Sequence, residues 1–146
     1  MFYSEYIQYN PNNPINDRIL LISCSKILEN SISKIPFLKR EIKLLDNKNY
    51  YEIKNDFDLL KESTIEIKKN SNKFLNNLNS NQKFLIKRQT DTINLSLNNL
   101  EKLLITIDKN LNKRDSEEIF NKIKEIELEL KTIYRQYKAI ELILFE

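Results

Sequence analysis

Residues 119–144 read IFNKIKEIELELKTIYRQYKAIELIL, and the spacing of their apolar positions decides the fold. Ile119, Ile123, Ile126, Leu130, Ile133, Tyr137, Ile140 and Leu144 recur at steps of four and three. Such steps keep one stripe of side chains on one face of an α-helix, the spacing of helices that pack side by side at shallow angles. Charged residues fill the positions between: Lys122, Glu125, Glu127, Glu129, Lys131 and Lys138.

The same stripe recurs upstream. Ile86, Thr90, Ile93, Leu97, Leu100, Leu104, Ile107 and Leu111 carry it in a third segment. Ile53, Phe57, Leu60, Thr64, Ile67, Ser71, Phe74 and Leu78 carry it in a second. Leu21, Cys24, Leu28, Ser31, Ile35, Leu38, Ile42 and Leu45 carry it in the first. Each stripe spans four heptads and predicts a helix about 40–45 Å long at the α-helical rise. Thr64, Ser71, Thr90 and Ser31 fall on the stripes, where a hydroxyl can bond a carbonyl one turn back.

Polar clusters punctuate the stripes: Asp46-Asn47-Lys48-Asn49, Asn79-Ser80-Asn81 and Asn112-Lys113-Arg114-Asp115. Asn49 is the expected N-cap of the second helix, and Asp115 with Glu118 forms a capping-box-like pair ahead of the fourth. Links this short make successive helices antiparallel. The expected fold is all-α, a four-helix up-down-up-down bundle over residues 17–146. Its helices are expected near 17–46, 49–78, 81–111 and 115–145, behind an extended arm of residues 1–16. A long coiled coil between chains is the competing architecture, and three evenly spaced breaks disfavour it. Pro36 interrupts the first stripe without shifting its phase. A kinked helix is therefore expected, with a short break near Ile35 as the alternative.

Composition narrows the function classes. The chain of 146 residues is long enough for one sizeable core without a disulfide or metal. It has no Gly, His or Trp. Without Gly there is no phosphate loop or dinucleotide fingerprint, and Asn is the expected occupant of left-handed helix ends. Without His there is no imidazole base or ligand, and the usual Glu-x-x-His di-iron motif cannot form. One Cys makes neither a zinc cluster nor an internal disulfide. Neither an enzyme nor a bound cofactor or metal is expected. The acidic residues Glu117-Glu118, Glu125, Glu127 and Glu129 suit helix capping and solvated faces.

The net charge is +3, from 24 basic and 21 acidic residues. The basic pairs Lys39-Arg40, Lys68-Lys69, Lys87-Arg88 and Lys113-Arg114 are spread over all four segments among acids. Nucleic-acid binding calls for a clustered stripe, so none is expected. No apolar run approaches the roughly 20 residues of a membrane span. Leu21-Ile22-Ser23-Cys24 resembles a lipoprotein cleavage box, but Asp17 and Arg18 cut short the run before it. Cys24 is instead expected in the core.

The first sixteen residues differ from the rest. Phe2, Tyr3, Tyr6 and Tyr9 stand among Pro11 and Pro14, and Pro and Asn argue against helix. Such aromatics either fold back on the bundle or anchor a partner.

The order of features resembles the PsbQ family, including its red-lineage form. The resemblance runs from Phe2-Tyr3 through Pro11 and Pro14 to Arg18, and takes in Ser25 to Leu28. It continues at Asn47-Lys48-Asn49-Tyr50-Tyr51 and Asn55-Asp56, at Leu97 and Leu100 before Asp108, and at Asp115-Ser116-Glu117 with Tyr134 or Tyr137 beyond. The family implies a four-helix bundle behind an extended arm. It also implies a non-catalytic extrinsic subunit of photosystem II in the thylakoid lumen. Such a subunit is peripheral to the membrane, contacts the core and other extrinsic subunits, and supports the oxygen-evolving complex while binding no metal. Phe2, Tyr3, Tyr6, Tyr9, Pro11, Pro14 and Arg18 would then be the docking residues. The alternative is a cytoplasmic helical adaptor unrelated to photosynthesis.

Overall fold

The computed structural model describes residues 14–145, of which the first three are described as backbone only. Those residues are all-helical apart from short links, with no strand among them. Helix α1 spans Pro14–Lys43, α2 Tyr50–Asn77, α3 Ser80–Leu85, α4 Lys87–Asn112 and α5 Ser116–Phe145. Four of these are long, and α3 is a single short turn-and-a-half ahead of α4.

The stripes form one core. Every stripe position is buried except Leu45, Thr90 and Leu144, which are half-buried near helix ends. Ile35, Ile42, Phe57, Ile67, Ile86, Ile107 and Ile126 have no exposed surface at all. Burying one such side chain stabilises the fold by about 1.5–3 kcal/mol, so the shared core is the dominant favourable contribution. Helix α1 packs on α2 and α5, and α4 packs on α5 and α2, with α2–α4 the loosest of these pairs.

Cross-helix polar contacts fix the directions. Arg18–Glu141 and Lys39–Glu127 make α1 and α5 antiparallel. Asn77 donates to Asp17, and the Cys24 thiol lies 3.9 Å from the Ile67 carbonyl, so α1 and α2 are antiparallel as well. Lys61–Asp108 and Lys68–Glu101 do the same for α2 and α4.

Several expectations change. Helix α1 begins at Pro14, inside the stretch expected to be arm. Proline is well suited to a first helical turn, where its missing N–H would have no partner and its φ already fits. Residues 1–13 lie outside the described residues. Helix α1 runs unbroken through Pro36, so the alternative of a break near Ile35 does not hold. Pro36 is exposed, and the buried Ile35 and Leu38 on either side hold both halves of the helix in the core.

The third segment is two helices, not one. Ile86 has φ −112° and ψ 13° and separates α3 from α4. Asn79 starts α3 with a full capping box: its side chain accepts from the Gln82 N–H at 2.8 Å, and the Gln82 side chain accepts from the Asn79 N–H at 3.0 Å. Asn49 precedes α2 without a side-chain cap. It turns back instead: its amide donates to the carbonyls of Leu44 and Glu41, and its oxygen accepts from the Asp46 N–H. Asn49 is thus the N-cap of α2 by position, its carbonyl accepting from the Ile53 N–H at 3.0 Å, while its side chain closes α1. Asp115 does cap α5, accepting from the Glu118 N–H at 3.2 Å.

The left-handed position falls to an arginine. Arg114, with φ 56°, is the one described residue with positive φ. Its N–H bonds the Leu111 carbonyl and the next N–H bonds the Asn110 carbonyl, closing α4. A side chain with a Cβ in this region costs about 1–2 kcal/mol, which Gly would avoid.

Candidate functional site

The end of the bundle where α1 begins also holds the end of α2, all of α3, the start of α4 and the end of α5. Asp17–Asn77, Arg18–Glu141 and the Phe74–Phe145 ring contact at 6.4 Å bring these termini together. The sequence before α1 leaves from this end. Of the docking residues expected from sequence, Phe2, Tyr3, Tyr6, Tyr9 and Pro11 lie outside the described residues. Pro14 opens α1, and Arg18 is exposed on α1, 3.5 Å from Glu141 on α5.

Large apolar side chains are exposed at this end. Phe84 and Leu85 on α3 are 76 % and 51 % exposed, and Leu142 on α5 is 62 % exposed. Ile143 on α5 and Ile19 and Ile22 on α1 are also exposed towards this end of their helices. None belongs to a stripe. The signal was available in the sequence: Phe84-Leu85-Ile86 is an apolar run of three. A heptad stripe uses only Ile86, so the two residues before it must face elsewhere. Reading the segment as one continuous helix hid this.

Just inside this end lies a polar seam. The Ser71 hydroxyl and the Tyr137 phenol are hydrogen-bonded in the core, with Cys24 beside them. Burial pushes the Cys24 thiol up from 9.0 to about 11, against hydrogen bonds from Tyr137 and Ser71 that pull it down. Burial also raises the Tyr137 phenol well above its ordinary value, and the neighbouring Cys24 adds to this. Both groups are neutral at pH 7, and a neutral buried thiol is a poor nucleophile. The seam satisfies its own polar atoms, which makes it a packing feature. A cavity of about 10 Å³ adjoins it, lined by Ser71, Thr90, Asn94 and Tyr137 among apolar side chains. That is room for about one water molecule.

Asp17, also buried, was missed from sequence because it precedes the first stripe residue by a full turn. Its carboxyl is raised by burial, against the hydrogen bond from Asn77. Ser25 and Ser96 are buried outside the stripes, and the Ser25 hydroxyl has no partner.

Two shallow grooves run along the flanks. One of about 260 Å³ lies between α2 and α4, lined by Ile65, Leu104 and Ile105 with Lys61 and Glu101. The other, of about 320 Å³, lies between α4 and α5 around Leu103 and Leu128.

Among the described residues, no group of three or more His, Cys, Asp or Glu side chains is placed to hold a metal, and no helix is long and apolar enough to cross a membrane. No family model, curated protein or solved structure matches the chain.

Proposed function

We propose that the chain is a non-catalytic four-helix up-down-up-down bundle that works by docking, and that it docks through the end where α1 begins. Helix α3 is then the lead-in to the third long helix. The observation that carries this reading is the exposed apolar set Ile19, Ile22, Phe84, Leu85, Leu142 and Ile143 at that end. Exposed apolar side chains brought to one end of the bundle by three helices suit a surface that is covered in use. The core beneath supports the same reading, because the cavity beside Tyr137 has room for a water and not for a substrate.

The narrower form of the proposal is an extrinsic subunit on the lumenal face of photosystem II. Its support is the resemblance in the order of features from Phe2 to Tyr137. The arm before α1, with Phe2, Tyr3, Tyr6 and Tyr9, would extend the docking end.

Binding to purified photosystem II cores stripped of their extrinsic subunits tests both levels. The intact chain should bind. Removal of residues 1–13 should weaken binding while leaving the cooperative urea unfolding of the bundle intact, because the described core lies wholly beyond them. Absence of binding by the intact chain would sink the photosystem assignment and favour a helical adaptor of other partners.

A further inference from the structure

We infer that the α3 tip is a lipid-contact element, in which Phe84 and Leu85 enter the interface of an anionic bilayer while Lys83, Lys87 and Arg88 meet its headgroups. This goes beyond docking on a protein and does not depend on it.

The tip is built to hold two apolar side chains out in water. The Asn79–Gln82 capping box fixes the start of α3. Ile86, with no exposed surface, pins its end into the core. Between these anchors Phe84 is 76 % exposed and Leu85 51 % exposed. Solvated Phe and Leu side chains pinned at a rigid turn gain nothing for folding. A bilayer interface is the surrounding in which such side chains gain by burial.

Charge supports the same occupant. Lys83 immediately precedes the apolar pair, and Lys87 and Arg88 follow Ile86; all three are exposed. Lys87 pairs with Asp91 at 2.9 Å in full solvent, where such a pair is weak. An apolar tip ringed by cations is complementary to an anionic lipid surface, and neither part suffices alone for stable attachment.

The bilayer contact is confined to α3 and the start of α4, whereas the docking end also takes in Ile19 and Ile22 on α1 and Leu142 and Ile143 on α5.

Vesicle flotation of the intact, purified chain tests the inference. The vesicles are phosphatidylcholine alone, or phosphatidylcholine with roughly one quarter phosphatidylglycerol, the anionic component that attracts basic clusters. The chain has no Trp, so a Phe84→Trp variant carries a single emission reporter at the tip. At low salt the chain should float with the anionic vesicles and not with the neutral ones, and the Trp emission should shift to the blue. Phe84→Ser with Leu85→Ser should lower partitioning about tenfold or more. Lys83→Gln and Arg88→Gln should lower it about fivefold each. All four positions are exposed, so helical content should not change, which circular dichroism verifies. Failure to float with anionic vesicles at low salt would overturn the inference. So would flotation that survives the Phe84→Ser, Leu85→Ser change. Retention on polyglutamate without a blue shift would assign the tip to acidic proteins and overturn it too. No partner protein is present in this assay, so its failure leaves protein docking standing.

Discussion

The two ends of the bundle are built on different terms. At the end where α1 meets α2 and α4 meets α5, the links are tied to one another. The Arg114 guanidinium stacks 3.7 Å over the Tyr50 ring and reaches Asn47 in the first link. The Tyr50 phenol donates to Asn112 at 3.0 Å. Asp46 and Asn49 exchange backbone and side-chain hydrogen bonds within the first link. At the other end the single link is α3, which leaves Phe84 and Leu85 in water. One end spends its polar groups on closing the bundle. The other leaves apolar surface open. Exposed Leu44 and Tyr51 do occur at the tied end, but the Tyr51 ring packs edge-on against Tyr50 at 5.2 Å.

The largest effect expected from this contrast is in stability. Ile119→Ala, at the tied end and fully buried, should lower the unfolding free energy by about 2–5 kcal/mol, since it removes packing and leaves a cavity. Phe84→Ser at the open end should change it by no more than about 0.5 kcal/mol, as surface substitutions do. Urea unfolding of both variants measures the difference. Equal losses would mean that Phe84 is packed in solution and that the ends do not differ.

Alkaline pH probes the seam just inside the open end. The folded Cys24 thiol titrates near 11 and an unfolded one near 9.0. The unfolded state therefore binds fewer protons in that window, and stability falls as pH rises from about 9 to about 11. The raised pKa is worth about 2–3 kcal/mol over the window by linkage. Tyr137 adds a loss of the same sign at higher pH, since its phenol is raised as well. Cys24→Ala should flatten the profile between pH 9 and 10 and reduce its slope above 10, where Tyr137 contributes and loses the part of its shift that Cys24 supplies. A profile of unchanged slope would place Cys24 outside the core.

The stripes were legible because the helical period is imposed by burial, and burial chooses residue type. Ile53 to Phe74 and Ile119 to Ile140 could be assigned one by one for that reason. The break at Ile86 was not legible, because this residue both ends α3 and fills a stripe position; its phase is right although its backbone is not helical. Asn49 stands at its expected N-cap position without a side-chain cap, for a related reason. Asn49 and Asn79 are the same residue type in similar polar clusters. Which way each side chain turns depends on the backbone groups within its reach: the carbonyls of Glu41 and Leu44 for Asn49, the Gln82 N–H for Asn79. Of the expected docking residues, Pro14 and Arg18 are the ones among the described residues, and the exposed tip needed the α3–α4 break to be known first.

Asn79→Ala offers a smaller test of the open end. It removes a side-chain cap and leaves the Gln82 N–H to water, at a cost of about 1 kcal/mol. The loss should be local. Amide exchange should quicken over residues 80–86 and stay unchanged around Arg114. Faster exchange at both ends would mean that the two ends open as one unit.

The smallest expected effect is the most discriminating for the tied end. Arg114 holds a left-handed conformation at φ 56° and also carries the stack on Tyr50 and bonds to Leu111 and Asn47. Arg114→Gly relieves about 1–2 kcal/mol of backbone strain but forfeits the guanidinium contacts, with about 0.5–1 kcal/mol for the exposed cation–π stack. Gly also gives the unfolded chain more freedom, which offsets the relief further. The net change should therefore stay within about 0.5 kcal/mol of zero, a size typical of surface substitutions. Arg114→Ala keeps the strain and loses the contacts, so it should be destabilising by about 1 kcal/mol. The two variants together separate backbone from side chain. If Gly and Ala lower stability equally, the left-handed strain is absent and the stack on Tyr50 alone closes this end. If Gly stabilises by the full strain, the stack contributes nothing, and the tied end is held only by the backbone bonds of its two links.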